Sequence, residues 1–183
     1  MTAMYGLVNK AVEELVMYKF GPVKWEAIKK RSGIDVEFFI STEPYDDEVT
    51  YALANAVADE MHMPVSEVMH ALGEWWVLKT AKEKYGSLLV AGGSNLKEFL
   101  LHLPVFHNRI SLIYPKLTPP EFRVSHVVEN GLRLHYYSKR QGLKEFVRGL
   151  LLGLSKLYET PITITEPFDG PTGDSQAVFG IAW

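Results

Sequence analysis

The chain has 183 residues, 47% of them hydrophobic, with 19 basic against 22 acidic side chains and no cysteine. At roughly 100–200 residues per domain this predicts one domain, residues 1–183, large enough to hold a core and a pocket. A formal net charge of −3, with no basic run threaded by aromatics, argues against a nucleic-acid groove, and the missing thiols exclude disulfides, thiolate-held iron–sulfur clusters, thiolate-ligated haem and any zinc site that needs sulfur, which leaves His, Tyr, Met, Asp or Glu as metal ligands.

In chain order, Leu7, Val8, Ala11, Val12, Leu15 and Val16 recur at three- and four-residue steps and predict an amphipathic helix over 5–20, stopped at Gly21 and Pro22. A second helix is expected over 23–31. Residues 41–47 read as turn chemistry, and Asp46 and Asp47 favour the start of a third helix that runs to about residue 62. Pro64 begins another over 65–79, whose apolar positions are too many for one stripe. After a glycine-rich break at 91–94, Ser94 is expected to cap a long helix over 95–114, ended by Pro115.

The period then changes. Residues 122–128 and 132–138 read as strands around Asn130 and Gly131, a pair that favours two positive φ angles in a tight hairpin turn. A helix over 143–158 and strands over 161–166 and 176–183 complete an α+β pattern, helices first and a small antiparallel sheet after. No 18 apolar residues run together, and the opening residues lack a basic leader and long apolar core. The expectation is a soluble, cytoplasmic chain with no membrane partner.

Two features carry chemistry. His107 lies seven residues after Leu100 and four after Leu103, on the apolar face of the long helix. It reads either as a buried neutral imidazole tied to a carbonyl or as the single nitrogen ligand that haem needs beside an apolar slot. The second is Tyr136-Tyr137-Ser138-Lys139-Arg140. Alternation in an extended chain puts Tyr136, Ser138 and Arg140 on one face, with Leu132 and Leu134. A phenol, a hydroxyl and a guanidinium together suit an anion with several oxygens, such as two propionates or a phosphate, or else form a charged strand end.

Together these features resemble the haem-nitric oxide/oxygen binding (H-NOX) family, which includes the haem domain of soluble guanylate cyclase and bacterial stand-alone sensors. The likeness runs through Met4-Tyr5-Gly6-Leu7-Val8-Asn9-Lys10, Asp46-Asp47-Glu48-Val49-Thr50 and Gly73-Glu74-Trp75-Trp76-Val77. It is strongest where His107, Thr118-Pro119-Pro120 and the Tyr136, Ser138, Arg140 trio follow in the family's order and spacing. The resemblance implies haem b sandwiched between a helical distal part, about 1–62, and a proximal helix and sheet part, about 63–183. It makes His107 the proximal iron ligand, gives the propionates to Tyr136, Ser138 and Arg140, and sets Pro120 against the porphyrin to distort it.

The resemblance also implies a gas. Family members that hold oxygen carry a distal tyrosine, and the matching residue here, Phe146, cannot donate a hydrogen bond. Val8, Val12 and Leu150 match other distal positions and are apolar. Trp76, whose indole N–H is a donor, stands where oxygen-binding members carry an asparagine. Nitric oxide and carbon monoxide are therefore the expected ligands, without a stable oxygen complex. The implied mechanism is a switch: release of His107, relaxation of the porphyrin against Pro120, and a shift of the N-terminal helices read by a separate signalling protein such as a histidine kinase or a cyclic-di-GMP enzyme. The chain is expected to be either a stand-alone sensor or a piece of a longer protein.

An enzyme is not expected. A peroxidase needs distal His and Arg, and a hydrolase of the nucleophile-elbow type needs Gly-x-Ser-x-Gly, which does not occur. The alternative is a binding module for another apolar or tetrapyrrole ligand without iron ligation. His62, His70, His126 and His135 are given no role, and the direction of His102, close to Pro104, is left open.

Overall fold

Seven α-helices, one π-helical turn and two antiparallel sheets make up residues 3–166 and 177–183, the residues described in this computed structural model. The chain opens on strand β1 (Ala3–Tyr5), paired with β2 (Pro44–Asp46). Neither strand was expected. Helix α1 (Gly6–Phe20) therefore starts at Gly6, where a Cβ would meet the Ile40 carbonyl oxygen at 2.2 Å. That close approach lets the Gly6 N–H donate to the Glu43 carbonyl at 2.8 Å. Pro22 does more than stop α1: it is the first residue of α2 (Pro22–Ser32), where its missing N–H costs nothing. Helix α3 (Asp47–Met61) carries Asp47 and Glu48 in its first turn, as expected.

The helix expected to end near residue 79 runs further. Helix α4 (Val65–Trp75) passes into the π-helical turn Trp76–Ala81 and on into α5 (Lys82–Gly92), which bends at Tyr85 (φ −127°, ψ 20°). A π turn inserts one residue and rotates everything after it, a change that hydrophobic spacing does not announce. Helix α6 (Leu96–Ile113) is capped by Asn95 and not Ser94: Asn95 Oδ1 accepts from the Glu98 N–H, while the Ser94 N–H and hydroxyl donate to the Glu98 carboxylate.

Strands β3 (Glu121–Val128), β4 (Gly131–Tyr137), β5 (Thr163–Thr165) and β6 (Ala177–Ala182) form the second sheet, in the antiparallel order β3-β4-β6-β5. Residue 176, expected to open the last strand, lies outside the described residues. The hairpin does not use positive φ at Asn130 or Gly131. The ladder slips between Ser125 and Val128, and the left-handed residue is His126 (φ 49°) within that bulge. Gly131 is a strand residue, required because a Cβ would meet the Ile181 carbonyl oxygen at 2.7 Å.

Helix α7 (Lys144–Leu157) lies across α4 at two glycines. A Cβ on Gly73 would meet the Phe146 carbonyl oxygen at 2.1 Å, and one on Gly149 the His70 carbonyl oxygen at 2.0 Å. Backbones can meet this closely only where neither carries a side chain. Phe122, Leu134 and Tyr136 from one face of the sheet join Leu100, Leu103 and Leu151 from the helices in one core.

Candidate functional site

Between the sheet and helices α1, α5, α6 and α7 lies a cavity of about 230 Å³. An apolar void of roughly 150 Å³ is enough to admit a benzene ring, so this space takes a larger flat ligand. His107, Pro120, Tyr136, Ser138, Arg140, Trp76, Phe146, Leu150 and Val8 all line it. Val12 does not. One turn beyond Val8, it is buried in the core where α1 packs on its neighbouring helices.

His107 stands on α6 three residues past Pro104. Its Nδ1–H donates to the Leu103 carbonyl at 3.0 Å, which leaves the lone pair on Nε2. Burial pushes its pKa below the ordinary imidazole value, only partly offset by the Leu103 carbonyl, so the ring is held neutral. A neutral imidazole with a fixed tautomer, opening onto an apolar cavity, has the chemistry to serve as a single ligand for one metal centre. No group of three or more His, Asp or Glu that could hold a bare ion occurs among the described residues.

Tyr136, Ser138 and Arg140, the trio expected to hold an anion, come together by a different route from the one expected. Strand β4 ends at Tyr137, so alternation does not carry through to Arg140. Instead the Ser138 hydroxyl oxygen accepts the Arg140 backbone N–H at 3.0 Å, and the Ser138 and Tyr136 hydroxyls are hydrogen-bonded to each other. This serine-centred turn brings all three to the cavity wall. Burial pushes the Tyr136 phenol above its ordinary pKa, against the pull of Ser138 and Arg140, so it stays a donor.

Sequence reasoning missed what orients Arg140. Its Nε donates to Asp47 Oδ2 at 2.9 Å and its Nη1 to the Thr118 carbonyl at 2.7 Å, with both charged side chains buried. Asp47 lies in a stretch that carries the family likeness, but nothing in the sequence pairs it with Arg140, 93 positions away. The same helix brings Thr50 to Asn9, hydroxyl to amide oxygen, at 2.5 Å. Phe122 was also missed: it faces Tyr136 across the hairpin and its ring lies 5.1 Å from that of His107. Tyr5, Tyr85 and Tyr114 bring three further phenols to the cavity. His102 is tied through Nδ1 to the Gly92 carbonyl at 2.9 Å and does not line the cavity.

A single imidazole lone pair, apolar walls and an Arg-Tyr-Ser cradle together fit a flat, apolar, metal-bearing macrocycle with carboxylate arms. Haem is such a group.

The family model described as haem-NO-binding matches residues 5–166. Soluble guanylate cyclase gcy-31 of Caenorhabditis elegans is 30% identical over 162 residues, 88% of this chain and 23% of that protein. Soluble guanylate cyclase gcy-35 of the same organism is 31% identical over 169 residues, 88% of this chain and 24% of that protein. The chain thus spans about a quarter of the length of these relatives. Among solved structures, an H-NOX protein from S. oneidensis in the Fe(II)NO ligation state matches with a TM-score of 0.85 at 20% identity, over 97% of this chain and 98% of that one. An Fe(II) unliganded H-NOX mutant from K. algicida matches with a TM-score of 0.85 at 22% identity, over 98% of this chain and 96% of that one. At such identities the likeness is one of fold.

Proposed function

The chain belongs to the haem-NO-binding, or H-NOX, family, and on that footing we propose that it senses nitric oxide and carbon monoxide through a haem b held by His107. The family binds haem, and its domain is a gas-sensing module in place of a catalyst. Haem, when bound, would supply a ferrous iron able to take up a diatomic gas.

His107 would hold the iron through Nε2. The observation that carries this reading is the Leu103 hydrogen bond, which fixes the tautomer and aims the remaining lone pair at the cavity. Tyr136, Ser138 and Arg140 donate to the propionates, and Asp47 and Thr118 hold the guanidinium in place for them. Pro120, on the cavity wall beside Pro119, would press on a bound macrocycle.

Selectivity follows from the opposite wall. Oxygen gains from a distal donor, whereas nitric oxide needs none, and Val8, Phe146 and Leu150 offer only carbon. Trp76 is the one donor among these proposed distal positions. In this reading the signal is the departure of His107, which frees the second half of α6 to move against the N-terminal helices. A histidine kinase or a cyclic-di-GMP enzyme in the cytoplasm is the expected reader. No helix among the described residues is long and apolar enough to cross a membrane.

The test is the absorption spectrum of the reduced protein under argon, in air and with nitric oxide, beside His107→Gly. A five-coordinate ferrous band indifferent to air, shifted by nitric oxide, and lost in the variant unless imidazole is added is the expected result. A stable oxy spectrum overturns the selectivity argument, and its loss in Trp76→Phe would make Trp76 the donor. A haem band unaltered in His107→Gly removes His107 as the ligand.

A further inference from the structure

Helix α6 is anchored unevenly. Its buried residues, Leu96, Phe99, Leu100 and Leu103, all lie before Pro104, and none lies after it. Pro104 cannot supply the N–H that would tie it to Leu100, so the helix is weakest where the anchored half ends. Beyond it, Phe106, His107, Ile110 and Tyr114 line the cavity, the His107 ring lies 5.1 Å from that of Phe122 on β3, and Leu112 on the outside is 82% exposed. Residues 105–113 form an arm that carries His107.

The far end of that arm is fastened by phenols. The Tyr114 hydroxyl is hydrogen-bonded to that of Tyr85, which stands at the bend in α5. The Tyr5 ring meets the Tyr114 ring edge-on at 4.6 Å, and its hydroxyl oxygen accepts the Lys116 N–H at 3.1 Å. Tyr5 precedes α1, so the fastening joins the His107 helix to both α5 and the N-terminal segment.

We propose that the Tyr85–Tyr114 hydroxyl pair is a latch that positions His107, holding the end of its arm against α5 so that His107 leaves the iron only when the pair opens. The proposal rests on the reading that His107 departs, and it deepens that reading by naming what resists departure. Tyr85 and Tyr114 are positioning residues: they act on His107 through the helix. The bond needs both hydroxyls, so losing either one or both has the same effect.

The experiment uses the haem-loaded protein with Tyr85→Phe, Tyr114→Phe and the double variant, each keeping its ring. Tyr158→Phe serves as control, because that phenol donates to the Leu89 and Gly93 carbonyls at the other end of α5. Amide exchange without gas should be about fivefold faster over residues 110–116 in all three variants and unchanged over 96–103, as for one lost hydrogen bond at a local opening. On adding nitric oxide, the loss of the His107 ligand should accelerate by a similar factor, about fivefold.

Unchanged exchange over 110–116, additive effects in the double variant, or an equal effect of Tyr158→Phe overturns the latch. Faster exchange with an unaltered rate of His107 loss makes the pair merely structural and also overturns it. If the unsubstituted protein keeps His107 under saturating nitric oxide, the release reading fails by itself, and the latch falls with it as a control on departure.

Discussion

Ninety-three positions separate Asp47 from Arg140, yet their buried side chains meet at 2.9 Å. Such a pair adds little over an apolar substitute, but removing one member strands the other charge. Asp47→Ala should therefore lower the stability of the haem-free protein by roughly 3 kcal/mol. If a bound haem places its carboxylates at Arg140 as proposed, the loss should be smaller in the loaded protein. Urea unfolding of both forms checks this, and equal losses would mean that Arg140 receives no carboxylate from the bound group. His107 gives a second residue-scale prediction. Burial lowers its pKa in the folded chain below the unfolded value of 6.5. Between the two values the unfolded chain binds more protons, so stability rises with pH. Its contribution is fully present above about pH 6.5 and is lost as pH falls towards the folded pKa. The urea midpoint of the haem-free protein should climb from pH 5 to 7, and His107→Gln should flatten that climb; equal slopes would show that the ring is not held neutral by burial.

At the scale of elements, the crossing of α4 and α7 controls the distal wall, since Trp76 follows α4 directly and Phe146 opens α7. Gly149→Ala places a methyl 2.0 Å from the His70 carbonyl oxygen, a contact relieved only by moving one helix. The cost should be about 1–3 kcal/mol, seen as a lower thermal midpoint, and carbon monoxide binding should change because Phe146 moves with α7. A variant as stable as the parent would show that the helices have room. The same elements show what was legible in the sequence. Helices α1, α6 and α7 carry a face several turns long, and strands β3 and β4 alternate long enough for the period to show. Strands β1 and β2, three residues each, are too short to carry one. The π turn adds a residue without altering the composition. Gly131 was read as a turn glycine because Asn-Gly is a turn signal, whereas its reason lies across the sheet at Ile181, where no local rule reaches. His107 was legible because its helix is long; Asp47 as the partner of Arg140 was not, because nothing local links positions 93 apart.

At the scale of the whole molecule the cavity is the common feature, with walls drawn from α1, the π turn, α5, α6, the hairpin and α7. Elements from both ends of the chain must be in place before the space exists, so the unfolded chain has no counterpart to it. A ligand that binds only the folded form stabilises it by mass action, by about 2.7 kcal/mol at a free concentration one hundred times its Kd. Haem loading should therefore raise the unfolding midpoint in a concentration-dependent way, and across the whole chain at once, because no single element owns the site. His107→Gly separates the anchor from the walls. The haem-free variant should unfold close to the haem-free parent, since glycine removes a ring that faces the cavity, although at a helix-interior position it costs about 1 kcal/mol in propensity. Its gain on adding haem should be much smaller than the parent's, and free imidazole should return most of it by supplying the missing nitrogen. Calorimetric scans of both proteins with haem, with and without imidazole, decide the point. Recovery by imidazole in the haem-loaded variant alone means that the cavity exists without His107 and the histidine supplies the bond; recovery in the haem-free variant as well would mean that imidazole repairs the fold, and that His107 serves the core before it serves the iron.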